Sequence, residues 1–336
     1  MLSLIEVSPH LTIDTLLSVE NLRVSFTGSS NLFRQRDTIQ AVAGISFKVS
    51  RGSTLGLVGE SGCGKSTTGY ALLRLIDATG RVCFDGTDLL TLKTREMRTI
   101  RRRIQVIFQD ASSSLDPRMT IGDLITEALD IHKLYVGEER KGRVRELLDM
   151  VGMSPRYAER YPHELSGGQA QRIAICRALA VEPELIICDE AVSALDVSIQ
   201  AQILNLLQEL QKSLQLTYIF ISHDLSVIRH ISNEIAVMYL GKIVEYGSRD
   251  ELFNNPIHPY TRALLSSIPN ADPIVGPSRE KVLLRGDIPN PANLPSGCGF
   301  RTRCPLAVSE CSLQPPEKLE VAPHHYVSCI RAPIIT

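Results

Sequence analysis

TLGLVGESGCGKST, Thr54 to Thr67, is the stretch that decides the fold. Its opening residues form an apolar run ending in glycine, the pattern of a strand buried on both faces of a parallel sheet. The turn that follows, Gly59 to Ser66, fits G-x-x-x-x-G-K-[ST] at every position. Glycines let successive backbone N–H groups curl around phosphate oxygens, and a helix beginning near Lys65 points its positive end at them. Lys65 adds a fixed charge for the β- and γ-phosphates, while the Ser66 hydroxyl is a ligand for Mg²⁺. Gly59, Glu60, Ser61, Gly62, Cys63, Gly64, Lys65, Ser66 and Thr67 are therefore the expected cradle of a nucleoside triphosphate. The bland alternative is a chance glycine-rich turn, and the strand-loop-helix setting weighs against it.

Strands of the same buried kind recur at Ile104 to Phe108, Leu185 to Cys188 and Tyr218 to Ser222. Between the last two, Ile203, Leu206, Leu207, Leu210 and Leu214 follow the spacing of one helix face. Strand, helix, strand predicts a right-handed crossover and an α/β sheet. Upstream, Leu16 to Val49 alternates apolar and polar residues, which predicts an antiparallel β subdomain. Residues 110–165 hold no buried-strand run and read as a helical insertion, and MYLGKIVEYG from Met238 reads as a hairpin closing the core. Thirteen of the 18 prolines fall at or after Pro256, so the tail is built differently. The expected division is a lead-in over 1–15, a catalytic core over 16–269 with its boundary near Pro269, and a small extension over 270–336.

A chain of 336 residues, 43% apolar and 22% charged, has ample material for a core. Its formal net charge of −1 supplies no global field to draw nucleic acid. The basic run Arg101 to Arg103 is short and reads as a solvated face. No apolar stretch approaches the ~18–20 residues that span a bilayer. The N-terminus lacks the pattern of a secretion signal, so the expected place is inside the cell, where stable disulfides are disfavoured.

LIICDE supplies the second half of a nucleotide site. Four apolar residues bury the strand, and Asp189 emerges at its carboxyl end, where α/β sheets place ligands. Asp189 is expected to hold Mg²⁺ through water. Glu190, one residue on, points differently and suits the polarisation of an attacking water.

With these halves in place the chain resembles the ABC-type ATPases. LSGGQ, Leu165 to Gln169, is similar to their signature and lies between the phosphate loop and the Asp189 strand, as in that family. Gln109 matches the Q-loop glutamine, Ser193 to Asp196 the D-loop, and His223 the switch histidine. Phe26 takes roughly the place of the aromatic that stacks on adenine. Many relatives write DEPTSALD where this chain has DEAVSALD; Ala191 and Val192 leave both acidic residues intact. The resemblance implies an α/β P-loop NTPase core whose head-to-tail dimer sandwiches two ATP molecules, each between one subunit's phosphate loop and the other's signature. Ser166, Gly167, Gly168, Gln169 and Asp196 would then act on the partner's nucleotide. Catalysis would fall to Glu190, His223, Lys65 and Gln109, with Ser66, Gln109 and Asp189 around Mg²⁺.

NNPIHPYTRALLSSIP, Asn254 to Pro269, and the tail with CGFRTRCP resemble the oligopeptide, dipeptide and nickel importer branch. That implies an importer subunit peripheral to the cytoplasmic face of the inner membrane. Its partners would be a second ATPase chain (a different homologue or a second copy), two membrane permeases and an external solute-binding protein, with no nucleic acid. A soluble ABC ATPase acting mechanically on nucleic acid or ribosomes is the alternative.

Cys63, Cys83, Cys176 and Cys188 lie scattered through the core and read as small buried hydrophobes. Cys298, Cys304, Cys311 and Cys329 cluster beyond it, without the short C-x₂-C knuckles of zinc sites. A [4Fe–4S] cluster, which some members of the resembled branch carry, leads among three readings. Zinc and unliganded thiols are the others. His324 and His325 are substitute ligands only if they are not a surface pair.

Overall fold

The computed structural model describes residues 14–27, 38–267, 284 and 286–335. The boundary expected near Pro269 and most of the lead-in over 1–15 fall outside them. Strands β1 (Thr15–Thr27) and β2 (Thr38–Ser50) pair antiparallel, Val19 facing Phe47 and Val24 facing Val42. The alternation read from sequence turns Leu17, Val19, Leu22 and Val24 inward. It slips at several register shifts, one of them between Val19 and Leu22, where Glu20 and Asn21 stand exposed.

β3 (Thr54–Val58) begins the second sheet and leads through the glycine-rich turn into α1 (Lys65–Leu72). β4 (Thr79–Phe84) and β5 (Thr87–Asp88) return to the first sheet, whose order is β2-β1-β4-β5. α2 (Thr94–Arg103) then feeds β6 (Ile104–Ile107). Three helices follow with no strand between them: α3 (Ile121–Ile131), α4 (Glu138–Met150) and α5 (Gly167–Ala180). They bury Leu124, Leu129, Leu147, Leu148 and Ile173 against one another; α3 and α4 fall within the 110–165 span read as a helical insertion, and α5 lies beyond it. β7 (Leu185–Asp189), α6 (Val197–Leu214), β8 (Thr217–Ser222), α7 (Leu225–Ile231), β9 (Glu234–Tyr239) and β10 (Lys242–Ser248) complete the core. β6, β7, β8, β3 and β9 lie side by side and parallel, and β10 folds back on β9 as the expected hairpin. β3 is flanked on both sides by strands, so its carboxyl end opens at the middle of the sheet.

Several expectations change in detail. Leu214, placed on the apolar face of α6, is 42% exposed because the helix ends there and Gln215 turns left-handed. The arginine run is no solvated face. Arg101 donates to the carbonyls of Leu73 and Arg74, Arg102 to that of Val181, and Arg103 pairs with Asp85 and Glu184. These cations close the carboxyl end of α2 and tie it to its neighbours. Cys63, Cys176 and Cys188 are buried as expected, but Cys83 is only half-buried.

The tail differs most from its expectation. After α8 (Arg249–Asn254) and α9 (Pro259–Ser266), strands β11 (Leu319–Ala322) and β12 (His325–Val327) add to the edge of the catalytic sheet, giving the order β11-β12-β10-β9-β3-β8-β7-β6. α10 (Ala332–Ile335) ends the described chain. Phe300 is 2% exposed and belongs to the main core. The tail therefore borrows the core of the eight-stranded sheet.

A buried acid–base group fastens it there. His325, expected at the surface, is buried with Nε2 2.9 Å from Glu245 Oε1 and Nδ1 2.9 Å from Glu251 Oε2. Glu245 also accepts the N–H groups of Ile257 and His258. Burial alone pulls the His325 pKa down, but the hydrogen bond to Glu245 and the two carboxylate charges outweigh it, and the net shift is upward. His258 is wholly enclosed, and burial pushes it down to about 4 against a weaker upward pull from Glu245.

The two histidines bend the stability curve in opposite directions. His325 stays protonated in the folded state above the ordinary 6.5, so its stabilisation is complete below 6.5 and fades as pH rises through the raised value. His258 refuses the proton that an unfolded chain takes up below 6.5, so it destabilises as pH falls from there toward about 4. Thermal unfolding across both limbs checks this. His325→Gln should flatten the alkaline limb and leave the acid limb; an unchanged alkaline limb would rule the pairing out.

Candidate functional site

The glycine-rich turn owes its shape to backbone crowding. Gly64 caps α1 at φ 103°, and a Cβ there would lie 2.3 Å from the Ala41 carbonyl oxygen. At Gly59, with φ 151°, a Cβ would lie 2.2 Å from the Met238 carbonyl oxygen. Only glycine fits either place. Ser61 and Gly62 stand exposed at the loop's crest, Cys63 is buried beneath it, and Thr67 is half-buried in the first turn of α1. The Lys65 side chain lies inside the loop, Nζ donating to the carbonyls of Gly59 at 2.8 Å and Glu60 at 3.0 Å. It is 5% exposed, a buried cation compensated by two carbonyl dipoles and, more weakly, by the Cys63 sulfur at 3.8 Å.

Across the loop, Ser66 Oγ donates to Asp189 Oδ1 at 2.7 Å. A hydroxyl and a carboxylate side by side form a hard oxygen donor set, which fits Mg²⁺. Tyr70, one turn along α1, hangs over the same carboxylate; burial and Asp189 push its phenol up to about 12. Asp189 is 3% exposed, at the last position of β7.

Glu190 leaves that line. Its φ of 49° is left-handed, which costs a non-glycine residue about 1–3 kcal/mol and turns the side chain away from Asp189. Its N–H donates to the Ile221 carbonyl at 3.0 Å and fixes the turn to β8. Two groups meet on one oxygen of its carboxylate: Gln109 Nε2 at 3.0 Å and His223 Nδ1 at 3.3 Å from Oε2. The Glu190 side chain is 16% exposed, so the other oxygen can reach a water at the mouth of the site. Such a carboxylate can take a proton from that water.

The signature residues keep to themselves. Ser166 and Gln169 form a reciprocal cap on α5, Gln169 N–H to Ser166 Oγ at 3.4 Å and Ser166 N–H to Gln169 Oε1 at 3.0 Å. Gln169 Nε2 reaches Tyr157 Oη at 3.0 Å. Asp196 caps α6 through the Ile199 N–H at 3.0 Å, and this bond holds its carboxyl below the usual range. A Cβ on Gly168 would meet Ile199 Cγ2 at 2.6 Å, so α5 and α6 touch where both open. Gly168→Ala should cost about 1–3 kcal/mol by overpacking, and Ile199→Ala added to it should restore most of the loss in a denaturant titration. Phe26 is 45% exposed near the end of β1.

The sequence brought together the phosphate loop, Asp189, Glu190, Gln109 and His223. It missed Tyr70, Tyr260 and Arg303. Tyr70 was within reach, since it lies four residues from Ser66 on α1 and so shares its face. The Tyr260 hydroxyl accepts the Glu60 N–H at 2.9 Å, and Arg303 pairs with the Glu60 carboxylate. No local pattern signals a contact across 243 residues.

In the tail, the Cys298 N–H donates to the Cys311 carbonyl at 2.8 Å. Burial raises the thiols of Cys298, Cys304 (to about 11) and Cys329, and each of these also feels neighbouring tail thiols. Among the described residues no three or more His, Cys, Asp or Glu side chains stand grouped as metal ligands. Nor is any described helix long and apolar enough to cross a membrane.

A strand-loop-helix phosphate cradle and a carboxylate pair at the end of a parallel sheet define the class, a P-loop ATPase of α/β fold. Residues 42–193 match the ABC transporter family, and residues 244–311 match the oligopeptide/dipeptide transporter C-terminal region. The oligopeptide transport ATP-binding protein AppF of Bacillus subtilis is 51% identical over 94% of this chain and 97% of its own length. OppF of Salmonella typhimurium, also an oligopeptide transport ATP-binding protein, is 50% identical over 94% and 96%. Among solved structures, cbiO1 from Clostridium perfringens, part of the ABC transporter complex cbiONQ, superposes with a TM-score of 0.62 at 28% identity, covering 72% of this chain and 92% of that one. The dimeric ATP-binding cassette MJ0796 bound to ADP and Pi gives 0.61 at 29%, covering 69% and 98%. The chain belongs to the ATP-binding proteins of ABC transporters, in the branch that carries the oligopeptide/dipeptide transporter C-terminal region.

Proposed function

We propose that this chain is the ATP-hydrolysing subunit that powers uptake of peptides or similar small solutes through a membrane ABC importer. The observation that carries the reading is likeness to oligopeptide transport ATP-binding proteins along nearly the whole chain, tail included. The alternative on nucleic acid or ribosomes finds no support among these relatives.

The proposed roles follow from the geometry. Backbone N–H groups of Gly59 to Thr67 hold the phosphates, and Lys65 turns from its two carbonyls to the β- and γ-oxygens. Ser66 and Asp189 would hold Mg²⁺, which would supply positive charge beside the phosphates. Glu190 accepts the proton of the attacking water. Gln109 and His223, both on Oε2, keep that carboxylate aimed. Phe26 offers an exposed face for adenine. Exposed Ser166, Gly167, Asp196 and Val197 crowd the paired openings of α5 and α6, a surface suited to a partner subunit's nucleotide. That partner is a homologous chain or a second copy. The pair would sit on the cytoplasmic face of the inner membrane beneath two permeases fed by an external binding protein.

Cys298, Cys304, Cys311 and Cys329 are the proposed holders of a [4Fe–4S] cluster. Cys304 and Cys329 each feel the charge of neighbouring tail thiols, but among the described residues these side chains do not stand grouped as metal ligands, so the cluster rests on the branch resemblance alone. Iron and sulfide analysis of anaerobically purified protein tests it; zinc or bare thiols would overturn it.

The importer reading is tested in vesicles holding both permeases and both ATPase subunits. ATP turnover should rise when peptide-loaded binding protein is added outside. Stimulation by RNA or DNA instead would overturn the reading.

A further inference from the structure

Arg303, from the tail, reaches into the phosphate loop. Its guanidinium grips the Glu60 carboxylate with two parallel hydrogen bonds, Nη1 to Oε2 at 2.6 Å and Nη2 to Oε1 at 2.9 Å. The side chain is 7% exposed. Phe300, Tyr239 and Tyr260 pack together beside it with ring centroids 4.8–5.4 Å apart, and the guanidinium lies 6.0 Å from the Tyr239 centroid. Glu60 is held by its backbone as well, its N–H by Tyr260 Oη and its carbonyl by Lys65 Nζ.

A carboxylate in this place is a liability. The loop is shaped for a polyanion, and a free negative charge there repels phosphate and competes for the ammonium of Lys65, which already lies against the Glu60 carbonyl. The bidentate fork removes both effects, because it cancels the charge and fixes the carboxylate on the tail side. We propose that Arg303 is a positioning residue of the nucleotide site: by neutralising Glu60 it leaves Lys65 free for the phosphates, so seating of the tail sets the affinity for ATP. The proposal deepens the reading of Gly59 to Ser66 as the ATP cradle and rests on it. Arg303 lies between Phe300 and Cys304, so the packing that seats the tail also seats the guanidinium.

A simple staple and a charge neutraliser make opposite predictions for the double variant. If Arg303 only fastens the tail, removing Glu60 as well mends nothing. If it neutralises, removing the carboxylate charge mends the loss. The test measures Mg·ATP binding by the full chain with a fluorescent ATP analogue, together with turnover at saturating ATP. Arg303→Gln should weaken binding about tenfold, one charge-assisted contact, with turnover at saturation within about twofold. Glu60→Gln with Arg303→Gln should recover to within about threefold of wild type, since no unpaired charge remains. Arg303→Lys keeps the charge and loses the fork, and should stay within about threefold even if the glutamine variant fails to fold. Unchanged binding in Arg303→Gln overturns the proposal. So does a double variant as weak as the single one, or Arg303→Lys weakened tenfold or more. Lys65→Ala measured alongside separates the two readings, because ATP binding equal to wild type there defeats the cradle itself.

Discussion

Glu190→Gln should leave ATP bound and lower turnover about 10²–10⁴-fold, the range for loss of a positioned general base. The substitution keeps the size of the side chain and its left-handed turn, so Gln109 and His223 still find an oxygen or nitrogen at the same point. What disappears is the ability to take a proton from water. Binding depends on residues of the loop that the substitution does not touch, so an ATP titration should match wild type. Phosphate release at saturating ATP reads the loss. Since ATP is the proposed glue between two subunits, the variant should also accumulate as a dimer in Mg·ATP on a sizing column. Wild-type turnover in this variant would remove Glu190 from the role of base and leave its contacts with Gln109 and His223 as structure alone.

Lys65→Ala carries the second large effect, on binding. Lys65 is buried inside the loop with two carbonyl partners and no carboxylate on its ammonium. That arrangement is weak compensation for a buried cation and leaves it ready to exchange carbonyls for phosphates. Losing a charge-assisted contact of about 1.5–3 kcal/mol predicts ATP binding about 10–100-fold weaker. The fold should survive, because the alanine leaves the Gly59 and Glu60 carbonyls open to water at the mouth of the loop. Binding equal to wild type, with an unchanged melting curve, would mean that the ammonium serves the loop and not the nucleotide.

Much of this site was legible because its chemistry is local. The phosphate loop needs glycines at fixed steps, and Asp189 and Glu190 need only to end a buried strand. Gln109 and His223 sit just past β6 and at the end of β8, strands whose apolar runs announce them. A parallel sheet carries all these carboxyl ends to one edge, so spacing along the chain translates into proximity. Glu190 pointing away from Asp189 was also readable, since adjacent residues diverge; the left-handed turn that enforces it was not.

What the sequence by itself determined is therefore the catalytic half: the α/β sheet, the helical insertion, the phosphate cradle and the acidic pair. Short-range patterns of two, four and seven residues encode these, and burial makes each pattern visible. Only the tertiary structure decided the rest. It turned Arg101 to Arg103 from a presumed solvated face into carbonyl and carboxylate partners, and His325 from a surface residue into a buried bridge between Glu245 and Glu251. It also joined the tail to the edge of the catalytic sheet and set Arg303 on Glu60. The physical reason is the same in each case: an ion pair or a sheet edge is satisfied by whatever the fold brings near. Its partner can lie anywhere in the chain, and neither residue shows in its own neighbours which partner that is.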